Sequence, residues 1–303
     1  MLLKKLCLLL LLTVALYADG EKIYTVAFAQ DTLDNDYRIA QLKEIEKSFE
    51  KEKNIRFIYS NAKANAAVMV LQLEDFIAMG VDVIMVSPAN EYLVVPVLEK
   101  AYAKGIPVIL VDRGIQSDRY TTFIHPDNTL IAEAAARYMA EKMGYRGTIL
   151  MLKGVPDVDV TRERTDAFLK VIGRYKKIRV IARSGNFLRR DTILAMKALH
   201  SSGETYDAIY SQSDSMLSGV RLFMKREGID PASVLMVGID YIDEARQAIR
   251  NGSQDSSFIY SLCGKESAEA AMALLRGETV PKEIILKSEH VTRENVDAID
   301  PIF

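Results

Sequence analysis

Charged and aromatic side chains stand at the ends of apolar runs in this sequence, and their types restrict the chemistry they can perform. The run GIPVILV ends in Asp112 and Arg113, VLMVGI ends in Asp240, and IRVIARS is followed by Gly185, Asn186 and Phe187. Arg164 lies in TRERTDAF, and Tyr37 and Arg38 close the stretch AQDTLDNDYR. An ionised carboxylate accepts hydrogen bonds only, and a guanidinium presents a rigid fork of donors. A hydroxyl group is one donor and two acceptors, so a small molecule dense in hydroxyls uses both kinds of partner. Charge-assisted bonds of this sort are about twice as strong as neutral ones. Tyr37 and Phe187 add flat apolar faces that suit the C–H side of a sugar ring. The inventory fits recognition of a polyhydroxylated ligand.

Each residue also has a purely structural reading. Asp112 and Arg113 form an ion pair that orders a loop, Phe187 belongs to a core, and one of Arg162 and Arg164 is a solvated helix residue. Asp127 precedes a helix-like stretch and suits an N-cap, as do Ser213 and Asp214. What favours a site is the recurrence of such groups at the ends of runs in both halves of the chain.

The elements that must hold them alternate along the chain. YTVAFAQ, IRFIYSNA, VDVIMVSP and PVILVD read as strands. Between them, YRIAQLKEIEKSFEKEK places Ile39, Leu42, Ile45 and Phe49 at helical spacing, and AAVMVLQLEDFIAMG is a helix stopped by Gly80. The pattern restarts at TTFIHP and runs through GTILMLKG, IRVIARS, YDAIYSQ, VLMVGID and SSFIYSL, each followed by a helix-like stretch. Continuous Val, Ile and Leu runs mark strands covered on both faces, as in parallel sheets. The expected class is α/β, with two Rossmann-like lobes of parallel sheet. Ligands of such sheets sit outside the carboxyl ends of the strands, where the charged groups lie.

The chain of 303 residues suffices for two lobes that each bury a core. Its formal charge of -2 provides no basic field for nucleic acid. MLLKKLCLLLLLTVALYADGEK carries a basic pair, an apolar run and small residues, and predicts a secretory signal over 1–18, cut after Ala18. A single membrane anchor is the alternative, although the run is shorter than the roughly 20 residues a spanning helix needs. Removal of 1–18 leaves Cys263 as the only cysteine, so the mature chain has no internal disulfide. Cys263 reads as a buried or loop thiol without a function.

The motifs GVDVIMVSPAN, GIPVILVDRGI, PDNTLIAEAAARYM, LKGVPDVDVTRERTDAF, SGNFLRRDTILAMKAL, SQSDSMLSGVRLFMKREGI and VGIDYIDEARQAI, in this order, resemble the periplasmic sugar-binding proteins of the ribose and galactofuranose type. These are soluble receptors of ABC importers, and the resemblance spans nearly the whole mature chain. It implies lobes joined by three crossings, near Pro126, Tyr260 and Lys287, that close on ligand like a hinge. The first lobe would comprise 19–126 completed by 261–287, and the second 127–260 completed by 288–303. It further implies sugar contacts at Asn35, Tyr37, Arg38, Ser87, Asp112, Arg113, Asn128, Arg164 (rather than Arg162), Phe187, Ser213, Asp240 and Tyr260. Arg38 is more similar to the galactofuranose branch than to the ribose branch. Ser87 and Ser213 stand where the ribose pattern has an amide, and Tyr260 where it has a glutamine.

The expected activity is capture of a small sugar in the periplasm and delivery to a membrane-embedded ABC permease. The alternative is a sensor that presents a sugar or an autoinducer-2-like signal to a histidine kinase or chemoreceptor. His125, His200 and His290 show neither a triad pattern nor metal-ligand spacing, so no enzyme, metal or cofactor is expected. A repressor of the same fold would need a DNA-binding helix pair where the leader lies.

Overall fold

The computed structural model describes residues 22–303. The leader expected over 1–18, with Cys7, lies outside the described residues. No helix among the described residues is long and apolar enough to cross a membrane.

Two sheets carry the chain. The first contains β1 (Tyr24–Gln30), β2 (Ile55–Asn61), β3 (Val83–Ser87), β4 (Val108–Val111), β5 (Thr122–Pro126) and β11 (Glu283–Leu286), in the order β11-β5-β4-β3-β1-β2. Every pairing in it is parallel. The second contains β6 (Gly147–Lys153), β7 (Ile178–Ser184), β8 (Ala208–Ser211), β9 (Leu235–Val237), β10 (Ser256–Phe258) and β12 (His290–Thr292), in the order β12-β10-β9-β8-β6-β7. It is parallel except for β12, which runs antiparallel to β10. The architecture is the expected α/β fold of two mostly parallel sheets. The chain passes between the sheets from β5 to β6, from β10 to β11 and from β11 to β12.

Helices cover both faces of each sheet. In the first lobe these are α1 (Asp36–Phe49), α2 (Ala66–Met79), α3 (Val95–Ala103) and α9 (Gly264–Leu275). In the second they are α4 (Asn128–Lys142), α5 (Asp159–Ile172), α6 (Arg189–Ser202), α7 (Asp214–Arg226) and α8 (Asp243–Asn251). Successive strand residues point to opposite faces, and both faces are dry. Val26 and Phe28 pack with Ile45 and Ala268, whereas Ala27 and Ala29 pack with Leu73 and Leu98. Likewise Ile149 and Met151 meet Phe168, while Leu150 and Leu152 meet Leu199 and Leu217. This two-sided burial is why the strands read as unbroken apolar runs.

The helix starts follow their caps. Asn35 accepts from the Arg38 amide, Asn65 from those of Ala67 and Val68, and Asp127 from that of Leu130. Gly80, at φ +67°, ends α2 in the left-handed conformation that favours glycine. Of the two residues suited to start α7, Ser213 is the cap, accepting from the Ser215 amide at 3.2 Å.

Asp214 turns inward instead. It is fully buried, and it accepts from Gln254 Nε2 at 2.7 Å, from the Tyr241 amide at 2.8 Å and from the Ser257 hydroxyl. Gly238 lets it approach, because a Cβ there would fall 1.8 Å from Asp214 Oδ1. Asp214 thus ties α7 to the ends of β9 and β10. Asp214→Ala strands these donors in a dry interior, and the expected loss is about 3 kcal/mol, read as a lower urea midpoint. An unchanged midpoint would show that the donors find other partners and that the tie is dispensable.

Candidate functional site

The carboxyl ends of the strands of both sheets enclose one cavity. It is lined by Asn35, Tyr37, Arg38, Asp112, Arg113, Val160, Arg164, Phe187, Ser213, Ser215, Asp240 and Tyr260. The cavity volume is about 380 Å³. That bounds the guest to a small molecule.

The floor on the first-lobe side is a lattice of buried charge. Asp31, directly after β1, sits between two arginines: its Oδ1 lies 3.2 Å from Arg38 Nε and its Oδ2 2.6 Å from Arg113 Nη1. Arg38 Nη1 reaches on to Asp112 Oδ2 at 2.7 Å and to Gln41 Oε1 at 2.9 Å. Arg113 Nη1 also donates to the Pro88 carbonyl at 3.1 Å. All four charged residues are at most 4% exposed, so each depends on its partners. Burial works against the Arg38 charge, but Asp31 and Asp112 outweigh it and hold its pKa above the ordinary value. Burial pushes the Asp112 carboxyl up, but Arg38, Arg113 and Tyr260 prevail and hold it below the ordinary value.

Asp112 is aimed by its backbone. Its φ is +68°, and the Arg113 amide donates to the Val111 carbonyl at 2.8 Å, closing a rare and strained form of γ-turn. This turn ends the strand and points carboxylate and guanidinium into the cleft together. Such strain clusters at ligand clamps.

The second lobe supplies Arg164, Asp240, Ser213 and Phe187. Arg164, on α5, is 2% exposed; its Nε donates to Asn128 Oδ1 at 2.9 Å and its Nη1 to the Gln212 carbonyl at 2.5 Å. Its guanidinium lies 4.3 Å from the Tyr260 ring centroid. Asp240 accepts from Ser213 Oγ at 2.7 Å through Oδ2, and its Oδ1 has no hydrogen-bond partner among the described residues. Burial pushes the Asp240 carboxyl up to about 7, although Arg164 draws it down. Asn186 and Phe187 both take left-handed φ, +53° and +59°, which presents the Phe187 ring to the cavity. Gly154 makes room for it, since a Cβ there would fall 1.9 Å from Phe187 Cζ. Arg113, from the other lobe, faces that ring at 6.0 Å.

Tyr260 comes from the crossing after β10 and donates to Asp112 Oδ1 at 2.7 Å. Tyr37 donates to the Ser261 carbonyl at 2.6 Å, which carries α1 onto the same crossing.

The structure therefore gathers Asn35, Tyr37, Arg38, Asp112, Arg113, Arg164, Phe187, Ser213, Asp240 and Tyr260 around one space. It does not bring Ser87 or Asn128 to the wall. Ser87 ends β3 fully buried, its hydroxyl without a hydrogen-bond partner among the described residues. Asn128 is buried behind the wall, holding Arg164. Arg162 is half-exposed and spans the lobes, with Nη2 3.0 Å from Glu91 Oε2. Asp31, Gln212, Val160 and Ser215 were not singled out from sequence. Asp31 follows β1 as Asp112 follows β4, and that equivalence was the available signal.

Other contacts seal the cleft. Asp159 Oδ2 accepts from the Gly114 amide at 2.6 Å, the Glu91 amide donates to the Asp157 carbonyl at 3.2 Å, and Arg189 pairs with Asp36. Cys263 is fully buried beneath the site, and burial pushes its thiol well up.

The ribose import binding protein of Bacillus subtilis is 28% identical over 268 residues, covering 88% of this chain and 86% of that one. A fructose-binding periplasmic domain of a hybrid two-component system is 26% identical with a TM-score of 0.84, covering 91% of this chain and 92% of that one. The binding protein of the arabinose ABC transporter from Shewanella sp. ANA-3, solved with bound α- and β-L-arabinofuranose, is 25% identical with a TM-score of 0.84, covering 90% and 93%. The model of the periplasmic binding protein domain matches residues 26–279, and the chain belongs to that family.

Proposed function

We propose that the protein is a periplasmic solute-binding protein that closes its two lobes on one small sugar and delivers it to an ABC permease. The supporting observation is the convergence of Asp112, Arg113 and Arg38 from one lobe with Arg164 and Asp240 from the other around one cavity. Among the described residues the Nη2 groups of the three arginines and Asp240 Oδ1 have no hydrogen-bond partner. A molecule with several hydroxyls matches both sets. Phe187 covers its C–H face, and closure removes the water that would weaken these bonds. The relatives bind sugars by name, which supports the ligand class.

The second reading is a sensor, and likeness to the fructose-binding domain of a two-component system favours it. Both readings share the ligand chemistry. They separate by partner: a permease whose ATPase the loaded protein stimulates, or a kinase whose autophosphorylation it changes.

A thermal-shift screen of pentoses, hexoses, furanose sugars, polyols and autoinducer-2 tests the ligand class. Ligand at 100 times its Kd stabilises by about 2.7 kcal/mol, and no response to any of them would refute the proposal. Arg164→Ala removes a buried donor that faces the ligand and should lower affinity at least about 100-fold while circular dichroism stays that of the parent. Parent-like binding by this variant would move the site elsewhere.

Asp240 makes binding pH-dependent. A ligand hydroxyl donating to Oδ1 favours the carboxylate, so binding releases a proton from a group near 7. Affinity rises as the pH approaches about 7 and is level above it, whereas Asp240→Asn binds weakly without that slope. In the ligand-free protein the raised pKa acts on folding in the opposite sense. Its contribution is fully present below the ordinary value of 3.8 and is lost as pH rises through about 7. Calorimetry and thermal unfolding between pH 5 and pH 8.5 read the two slopes, and a flat parent affinity profile would remove Asp240 from the site.

A further inference from the structure

We infer that the second lobe carries, at the end away from the cavity, a basic surface that rests on a bilayer of anionic lipid. Arg146, just before β6, and Arg174, Lys176, Lys177 and Arg179, before and within β7, build it, and all five are exposed. The sheet brings the two segments together. The Gly147 amide donates to the Lys177 carbonyl at 3.0 Å, and Gly147 stands opposite Ile178 in the register. Arg146 and Lys177, one residue before that pair, are thus neighbours across strands about 5 Å apart. Among the described residues none of the five has an ion-pair partner; the pairs nearby are Lys170 with Glu133 and Arg183 with Glu204. Asp207 is spent on the Thr148 amide at 2.7 Å. Tyr145 stands beside Arg146, half exposed, with its ring 5.2 Å from that of Tyr175. A tyrosine among cations suits the level of lipid headgroups.

Charge on an open sheet edge also serves to prevent pairing with another chain, and the first lobe shows how much charge that needs. β2 and β7 occupy the same edge of their sheets. Each begins with an isoleucine paired to the central strand, Ile55 and Ile178, so FEKEKNIR over 49–56 matches IGRYKKIR over 172–179 position for position. The first segment holds three cations and two acids, the second four cations and no acid. Mixed signs guard the first edge; a single sign adds attraction to a surface of opposite charge. No Asp or Glu stands between Asp166 and Asp191, although the whole chain has a formal charge of -2. That asymmetry turns this end of the molecule toward an anionic surface. The cations spread along two segments instead of converging, which fits an array of headgroups rather than one phosphate. The cavity lies at the other ends of β6 and β7, where Phe187 follows β7, so contact with lipid leaves it unobstructed.

Flotation with phosphatidylcholine vesicles, with and without phosphatidylglycerol, tests the surface on the expected secreted form, without residues 1–18. The parent should bind only the phosphatidylglycerol vesicles, and should leave them at about 1 M salt, where the screening length falls to about 3 Å. Each cation near such a surface strengthens binding about fivefold, so Lys176→Gln, Lys177→Gln and Arg179→Gln together should cost about 100-fold. The matching changes on the other edge, Lys51→Gln, Lys53→Gln and Arg56→Gln, should leave lipid binding at the parent value. If the first triple variant loses the parent's circular dichroism, Arg174→Gln and Lys177→Gln take its place, each expected to lose about fivefold. A parent that ignores anionic vesicles, or binds neutral ones equally, overturns the inference. So does a first-lobe variant that loses as much, or a parent that binds dextran sulfate but not vesicles, which would make the partner a soluble polymer. A variant whose only change is self-association overturns it too and leaves these cations as guards of the edge. Sugar affinity is read at the other end of the lobe and stands or falls separately.

Discussion

The site depends on keeping Asp31, Arg38, Arg113 and Asp112 charged in a place without water. A lone buried charge costs several kcal/mol even after relaxation, so none of these residues would hold its position without the others. Asp31 solves the problem by standing between the two guanidinium groups, and Asp112 completes the chain on the far side of Arg38. The lattice spends Nε and Nη1 of Arg38 on the protein and leaves Nη2 for a guest. Its rigidity matters because the ordering cost is met in folding and not again at each binding event. Arg164 repeats the device on the opposite lobe with neutral partners, Asn128 and the Gln212 carbonyl, and so arrives with its full charge.

How much of this was legible in the sequence follows from what each residue does. Strands buried on both faces announce themselves, because nothing but apolar side chains fits there; β3, with the run Val-Ile-Met-Val-Ser, is the plain case. Edge strands do not. β11, with only Ile284, Ile285 and Leu286 apolar, alternates between exposed and half-buried residues, and β12 is three residues long, so neither carries the long apolar run of a strand covered on both faces. Their places are set by the register of the neighbours they join, Glu283 opposite Phe123 and Ser256 opposite Thr292.

Among the site residues, strand-end position made Asp112 and Asp240 visible, and family resemblance carried Arg38 and Tyr260. Neither signal separates a residue in the wall from one just behind it. Asn128 stands directly behind Arg164, which it supports, and Ser87 is enclosed at the end of β3. Asp31 was obscured by its surroundings, since Asp34 and Asp36 follow within five residues and only packing distinguishes the buried one. Arg162 and Arg164, two residues apart on one helix, divided their roles by the direction each faces: one to the rim, one to the centre.

That division bears on how closure is controlled. Arg162 with Glu91, Arg189 with Asp36, and Asp159 with the Gly114 amide join the lobes without touching the cavity. Their contribution is the same whatever the cavity holds. Glu91 and Asp159 are buried in the closed cleft, and Arg162 and Arg189 remain partly in water, where an ion pair is worth little. Rim contacts of this kind set the baseline between open and closed forms, and only the difference in ligand affinity between those forms shifts it. A strong rim would close the lobes on an empty cavity and leave the ligand nothing to change. A cavity with unused arginine donors and a half-engaged Asp240 is costly to close empty, since those groups lose water without gaining partners. The empty site opposes the rim, and a hydroxyl-rich guest removes that opposition, which makes closure a reading of occupancy.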